Sequence, residues 1–169
     1  MKKQTGIVMA VALAAFLVTG FTGPAHALGG YAVWQDANDI DGAFGFGAKH
    51  QFKIVPIIGI EARATWLGYG DNDFGGGDAS LNAFPLEAFG RAKLGLFYGG
   101  IGIGWTFFGG GDPKPDSAFT SLIAAGVEFT VLGLGGFAEL GYRFLEPEVS
   151  GVKVDMNGVA ANVGVIIGL

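Results

Sequence analysis

The chain contains no cysteine, so no disulfide holds its fold together even if it is exported to an oxidising compartment. Only 15% of its residues are charged, and only 2 of 169 are histidine. The first shortage leaves little to solvate a surface, and the second leaves little for acid–base chemistry. Positive charge is scarcer than negative, with 10 Lys and Arg against 15 Asp and Glu. That balance argues against binding nucleic acid or anionic head groups by simple charge attraction. No apolar run reaches the roughly 20 residues that a membrane-spanning helix needs. The longest, Gly6 to Val18, is broken by the Thr19-to-Pro24 stretch TGFTGP.

That run follows Lys2 and Lys3 and precedes Ala25-His26-Ala27. A charged start, an apolar centre of about 7–15 residues and an A-x-A site describe a secretory signal peptide. Residues 1–27 are therefore expected to be removed after Ala27, and a lipid-anchored lipoprotein is excluded because no cysteine follows the run. Taking 27 from 169 residues leaves 142, a comfortable size for one domain spanning 28–169. Taking Lys2 and Lys3 from the 10 basic residues leaves 8 against 15 acidic ones, a net charge of −7.

Beyond Leu28 no segment shows a long helical period. Apolar residues alternate with small or polar ones over stretches of about ten residues, and Gly, Asp, Asn and Pro punctuate them, which means strands. Eight are predicted, at 28–35, 42–54, 59–70, 80–94, 96–108, 119–131, 134–145 and 153–169. Their connections alternate in kind. Those at 54–59, 93–96 and 131–136 are short and apolar or glycine-rich, while those at 34–41, 68–80, 109–118 and 146–155 are longer and acidic. An even number of strands, with short turns at one end and long loops at the other, fits a barrel that crosses an outer membrane with both termini on the periplasmic side.

A soluble barrel would also alternate, with its apolar face inside. Composition decides which face is which. One face carries Phe44, Phe46, Ile60, Trp66, Phe84, Ile101, Ile103, Trp105, Ile123, Phe129, Leu140, Phe144, Val163 and Val165, with His50 as its single polar interruption. The other face is mostly glycine and alanine, with a few charges. A soluble domain needs an outer surface that is roughly 25–35% charged, and neither face supplies it. The apolar face is therefore expected to meet lipid. Trp34, Trp66 and Trp105 fall at the loop-side ends of their strands, where an aromatic girdle belongs.

On this register nine ionisable residues point inward: Lys49, Arg63, Arg91, Lys93 and Arg143 against Glu61, Glu87, Glu128 and Glu139. Confined charges must pair or meet water, so an ion-pair ladder across the second, third and fourth strands is predicted. Eight strands leave an interior just wide enough for side chains to fill. A closed polar plug is expected, with a selectivity lining or an acid–base pair as the alternative.

Other motifs carry less. Gly100-x-Gly102-x-Gly104 lacks both the spacing and the following helix of a dinucleotide fingerprint, and the small inward face explains it. The runs Asp36-x-Asn38-Asp39-x-Asp41 and Asp71-Asn72-Asp73 lack the twelve-residue spacing and final Glu of a calcium loop, and read as solvated loop tips. No serine lies within two positions of His50, so no nucleophile stands beside a base in the sequence.

The stretches GAFGFGAK and YGGIGIGW, the strand GFAELGYRF and the terminus VAANVGVIIGL resemble the small eight-stranded outer-membrane β-barrel superfamily of the opacity, OmpX and OmpA-barrel types. The resemblance spans residues 28–169 as a pattern. It implies an all-β, antiparallel, up-and-down barrel with a polar, non-porous core, inserted by the barrel assembly machinery. The chain departs from the family at Leu169, where an aromatic residue is usual. The expected surroundings are outer-membrane lipid and lipopolysaccharide, and the chain is expected to be a monomer. No nucleic-acid partner, cofactor or metal is expected. Three roles stay open: a structural or surface-interaction barrel using its acidic loops, a narrow channel for small or apolar solutes, and a lipid-modifying enzyme, for which the residues offer no constellation. Membrane fractions run on an SDS gel should show a compact band that shifts only on boiling. A freely soluble periplasmic protein would contradict the barrel.

Overall fold

The computed structural model describes residues 26–71, 80–110 and 114–168. The signal-peptide segment before His26, the Asn72-Asp73 motif and Leu169 lie outside the described residues.

The alternation produces strands of 10 to 15 residues. They are β1 (His26–Gln35), β2 (Ala43–Val55), β3 (Ile58–Asp71), β4 (Ser80–Leu94), β5 (Phe97–Gly110), β6 (Ala118–Val131), β7 (Leu134–Leu145) and β10 (Gly158–Gly168). These eight close into one antiparallel barrel in the order β1-β10-β7-β6-β5-β4-β3-β2. Closure pairs β1 with β10 from Ala27↔Gly168 to Gln35↔Ala160, so no barrel strand is left as an edge. In the full-length chain His26 and Ala27, the last two residues of the segment expected to be removed, extend β1 and pair with Phe52 and Gln51.

The predicted last strand at 153–169 is corrected. The chain instead forms a small hairpin, β8 (Glu148–Val149) with β9 (Val152–Lys153), and the barrel strand starts at Gly158. Side-chain carbonyls explain the break. Asn157 N donates to Asp155 Oδ1 at 2.9 Å and Leu145 N to Asn157 Oδ1 at 2.6 Å, so side chains accept N–H groups that a longer ladder would use.

The short turns crowd one end. Leu132 (φ 52°) and Gly133 (φ 81°) occupy successive left-handed positions, the geometry of a two-residue I′ hairpin. Glycine takes that conformation freely, whereas a bulky residue such as Leu132 does so at a cost. The opposite end carries the loops, where β1 and β10 continue as a ribbon: Asp36 N donates to Val159 O and Asn38 N to Asn157 O.

Outward positions are apolar and open: Phe44 is 70% exposed, Ile101 66% and Leu140 61%. Among the described residues, no Asp, Glu, Lys or Arg occupies an outward strand position between the rims. His50, read as an exposed polar interruption, is instead buried. Its ring stacks on Phe52 at 4.3 Å and meets the edge of His26 at 5.4 Å, so aromatic neighbours cover it.

The interior is not polar throughout. In its loop-side half Val33, Ala43, Leu67, Tyr69, Leu81, Phe108 and Leu145 pack into one apolar cluster, closed above by Met156 and Ala37 from the loops. Below it, the inward glycines seat aromatic rings. A Cβ placed on Gly100 would lie 2.9 Å from two atoms of the Phe89 ring and would also meet Gly90 O. Gly126 stands in the same relation to Tyr98, and Gly164 to Phe137. Gly100→Val should therefore lower stability by about 1–3 kcal/mol through overpacking, whereas Ile101→Val beside it on the outer face should cost less. Urea titration of the folded barrel measures both, and an unshifted midpoint for Gly100→Val would argue against the ring seat.

Candidate functional site

The nine charged residues marked in the sequence occupy inward positions of β2, β3, β4, β6 and β7. Strand register sets their first neighbours. Lys49 on β2 lies opposite Arg63 on β3, and Arg63 opposite Glu87 on β4, so two cations are side by side. Each turns to a different partner. Lys49 Nζ lies 3.6 Å from Glu61 Oε1 and 3.4 Å from the centre of the Phe137 ring. Arg63 bonds Glu61 at 2.6 Å through Nη2 and Glu139 at 2.8 Å through Nη1, with a second 2.8 Å bond from Nη2 to Glu139 Oε2.

Most of these pairs cross the lumen rather than climb adjacent strands. β3 and β7 are four strands apart in either direction around the barrel, so Arg63–Glu139 spans its diameter. Arg91 Nη1 lies between Glu61 at 2.5 Å and Glu128 at 2.7 Å, reaching from β4 to β6. Lys93 Nζ meets Glu128 at 2.6 Å. Nearer the loops, Arg143 on β7 reaches Glu87 on β4 at 2.9 Å and Gln35 Oε1 on β1 at 2.9 Å. The ladder expected among the second to fourth strands is thus one part of a lattice that also ties opposite walls.

Neutral residues complete it. Tyr98 OH donates to Glu139 Oε2 at 2.9 Å, Asn162 Nδ2 to Glu139 Oε1 at 2.8 Å and Gln51 Nε2 to Glu128 Oε2 at 3.1 Å. Glu139 thereby receives four donors, which is how a buried carboxylate escapes most of its desolvation cost. The rings seated over the glycines serve as platforms: the Arg63 guanidinium lies 3.9 Å from the Phe89 centroid and that of Arg91 4.0 Å from Tyr98. These contacts add cation–π attraction where water is excluded. Sequence reading passed over Gln35, Gln51, Phe89, Tyr98 and Phe137 as lattice members, although their inward parity was available as a signal.

Trp34, Trp66 and Trp105 sit on the outer face at the loop-side ends of their strands. Trp66 packs against Phe46 at 5.1 Å and Trp105 against Phe119 at 6.4 Å. Tyr142 and Phe144 extend the same aromatic level, 5.0 Å apart.

No protein-family model and no curated protein matches the chain. Solved structures do. The outer membrane protein OprG from Pseudomonas aeruginosa superposes with a TM-score of 0.66 at 13% identity, covering 89% of this chain and 98% of that one. The Yersinia pestis outer membrane protein Ail gives 0.55 at 11% identity, covering 87% and 100%. Neisserial surface protein A gives 0.53 at 10% identity, covering 85% and 95%. The chain has the fold of the small eight-stranded outer-membrane β-barrels, all-antiparallel and closed.

Arg63→Ala leaves Glu61 and Glu139 buried with one donor group fewer, and Arg91→Ala does the same to Glu61 and Glu128. Each should cost about 3–5 kcal/mol. Lys93→Ala should cost less, because the Lys93 side chain is 29% exposed and water can replace it. The ranking of urea midpoints checks this, and a Lys93 variant as damaged as the Arg63 variant would refute it.

Proposed function

We propose that the protein is a bacterial outer-membrane barrel, exported through a signal peptide at residues 1–27. In this reading it is not a pore, and it acts through its acidic loops. The observation that carries the proposal is the filled lumen. Buried ion pairs occupy the lumen, with Arg63–Glu139 joining opposite walls, and apolar side chains closed over by Met156 pack across its loop-side half. A solute would have to break buried ion pairs and then displace packed side chains.

The outward face supports the membrane part of the reading. Its exposed Phe, Ile, Leu and Val suit hydrocarbon, and its aromatic level at one end suits a bilayer interface. Outer-membrane lipid and lipopolysaccharide are then its surroundings, the barrel assembly machinery its route of insertion, and a monomer its state. The loop-side end exposes Asp36, Asp39, Glu146 and Glu148, which favours contacts with cationic or hydrogen-bond-donating partners. Planar-bilayer recording tests the closed interior. The wild-type chain should show no steady conductance, while a variant lacking both Arg63 and Glu139 side chains should show intermittent current. Steady wild-type conductance would return the narrow-channel role.

A further inference from the structure

The short-turn end pairs an apolar rim with an excess of positive charge. Its three turns carry Pro56 and Ile57, Leu96, and Leu132, and the flanking Leu94 and Phe97 are equally open. Leu132 is fully exposed, Leu94 is 72% exposed and Phe97 69%. Among the described residues, the acidic group nearest this mouth is Glu128, which is already bonded by Arg91, Lys93 and Gln51. Just inside the rim, a shallow depression is lined by Gln51, Lys53, Ile57, Arg91, Lys93 and Glu128. Lys53 is exposed there, and Lys93 is the most exposed of the paired interior charges.

Counting Lys53 with the lattice gives five cations, Lys49, Lys53, Arg63, Arg91 and Lys93, against Glu61, Glu128 and Glu139. Among the described side chains the short-turn half therefore carries two positive charges in excess, while the loop end is acidic. Arg91 Nη2 is buried beside this depression and makes no hydrogen bond among the described residues. A rim this apolar is costly in water. The same rim, with lysines able to reach past it, suits the boundary between acyl chains and phosphates.

We propose that the short-turn rim lies within the membrane interface and that Lys53 and Lys93, with Arg91 behind them, hold the phosphate of an anionic phospholipid from the surrounding leaflet. The acyl chains lie against Ile57, Leu94 and Phe97. This rests on the outer-membrane reading above.

Native mass spectrometry of the full chain, released from micelles holding equal amounts of phosphatidylglycerol and phosphatidylcholine, reads the preference. The wild type should retain phosphatidylglycerol selectively. Lys53→Gln should reduce that selectivity about fivefold and Lys53→Gln/Lys93→Gln further, as expected for one charge each at an anionic surface. Lys114→Gln/Lys153→Gln, at the loop end, should leave it unchanged. Lys53→Gln alone decides the matter if loss of the Lys93–Glu128 pair prevents folding. Selectivity that survives Lys53→Gln, or that is absent in the wild type, overturns the lipid site. Displacement of phosphatidylglycerol by inorganic phosphate assigns the mouth to free anions and overturns it too. Each sample is also run unboiled on an SDS gel. A compact band without selectivity defeats only this site, whereas no compact wild-type band defeats the membrane reading and this site with it.

Discussion

Arg63 and Glu139 face each other across the full width of a barrel too narrow to hydrate them freely, and each is buried. Neither charge can be left alone at that depth, because removing one partner from a buried pair exposes the other to its whole desolvation cost. The pair therefore constrains far more than two side chains. A one-residue slip of β3 or β7 would turn Arg63 or Glu139 onto the outer face and strand its partner. The register of both walls, and through hydrogen bonding that of the strands between them, is tied to this contact.

Around it the interior is layered by what each residue can tolerate. Cations lie against aromatic rings, the rings lie against glycines, and the carboxylates gather the remaining donors of Tyr98, Asn162 and Gln51. Nearer the loops charge gives way to packed apolar groups under Met156. The space over the inward glycines Gly100, Gly126 and Gly164 is occupied by Phe89, Tyr98 and Phe137. Small inward residues and large inward rings are complementary parts of one surface.

Much of the fold was legible, and for a simple reason. Strand periodicity is local, so the inward parity of Lys49, Glu61, Arg63, Glu87, Arg91, Lys93, Glu128, Glu139 and Arg143 follows from counting by two. What failed to read depended on neighbours distant in the chain. His50 has the parity of an exposed residue, yet in the full-length chain, with residues 1–27 still attached, it is covered by His26 of the adjoining strand as well as by Phe52. The start of β10 was hidden because Asp155 and Asn157 accept backbone N–H groups through side-chain oxygens, a choice that alternation cannot register.

By itself the sequence determined the class of architecture: eight alternating segments, an outer face without charge, nine inward ionisable groups, and acidic loops at one end. Alternation and composition act within a strand, and a linear chain displays them directly. Only the tertiary structure decided which charges meet. Closing the sheet places β3 opposite β7 and β4 within reach of β6 and β7, so pairs form between residues up to 76 positions apart. Closure also decided that apolar side chains from separate strands pack across the loop-side half of the lumen. That is a property of the space enclosed, which no single strand contains.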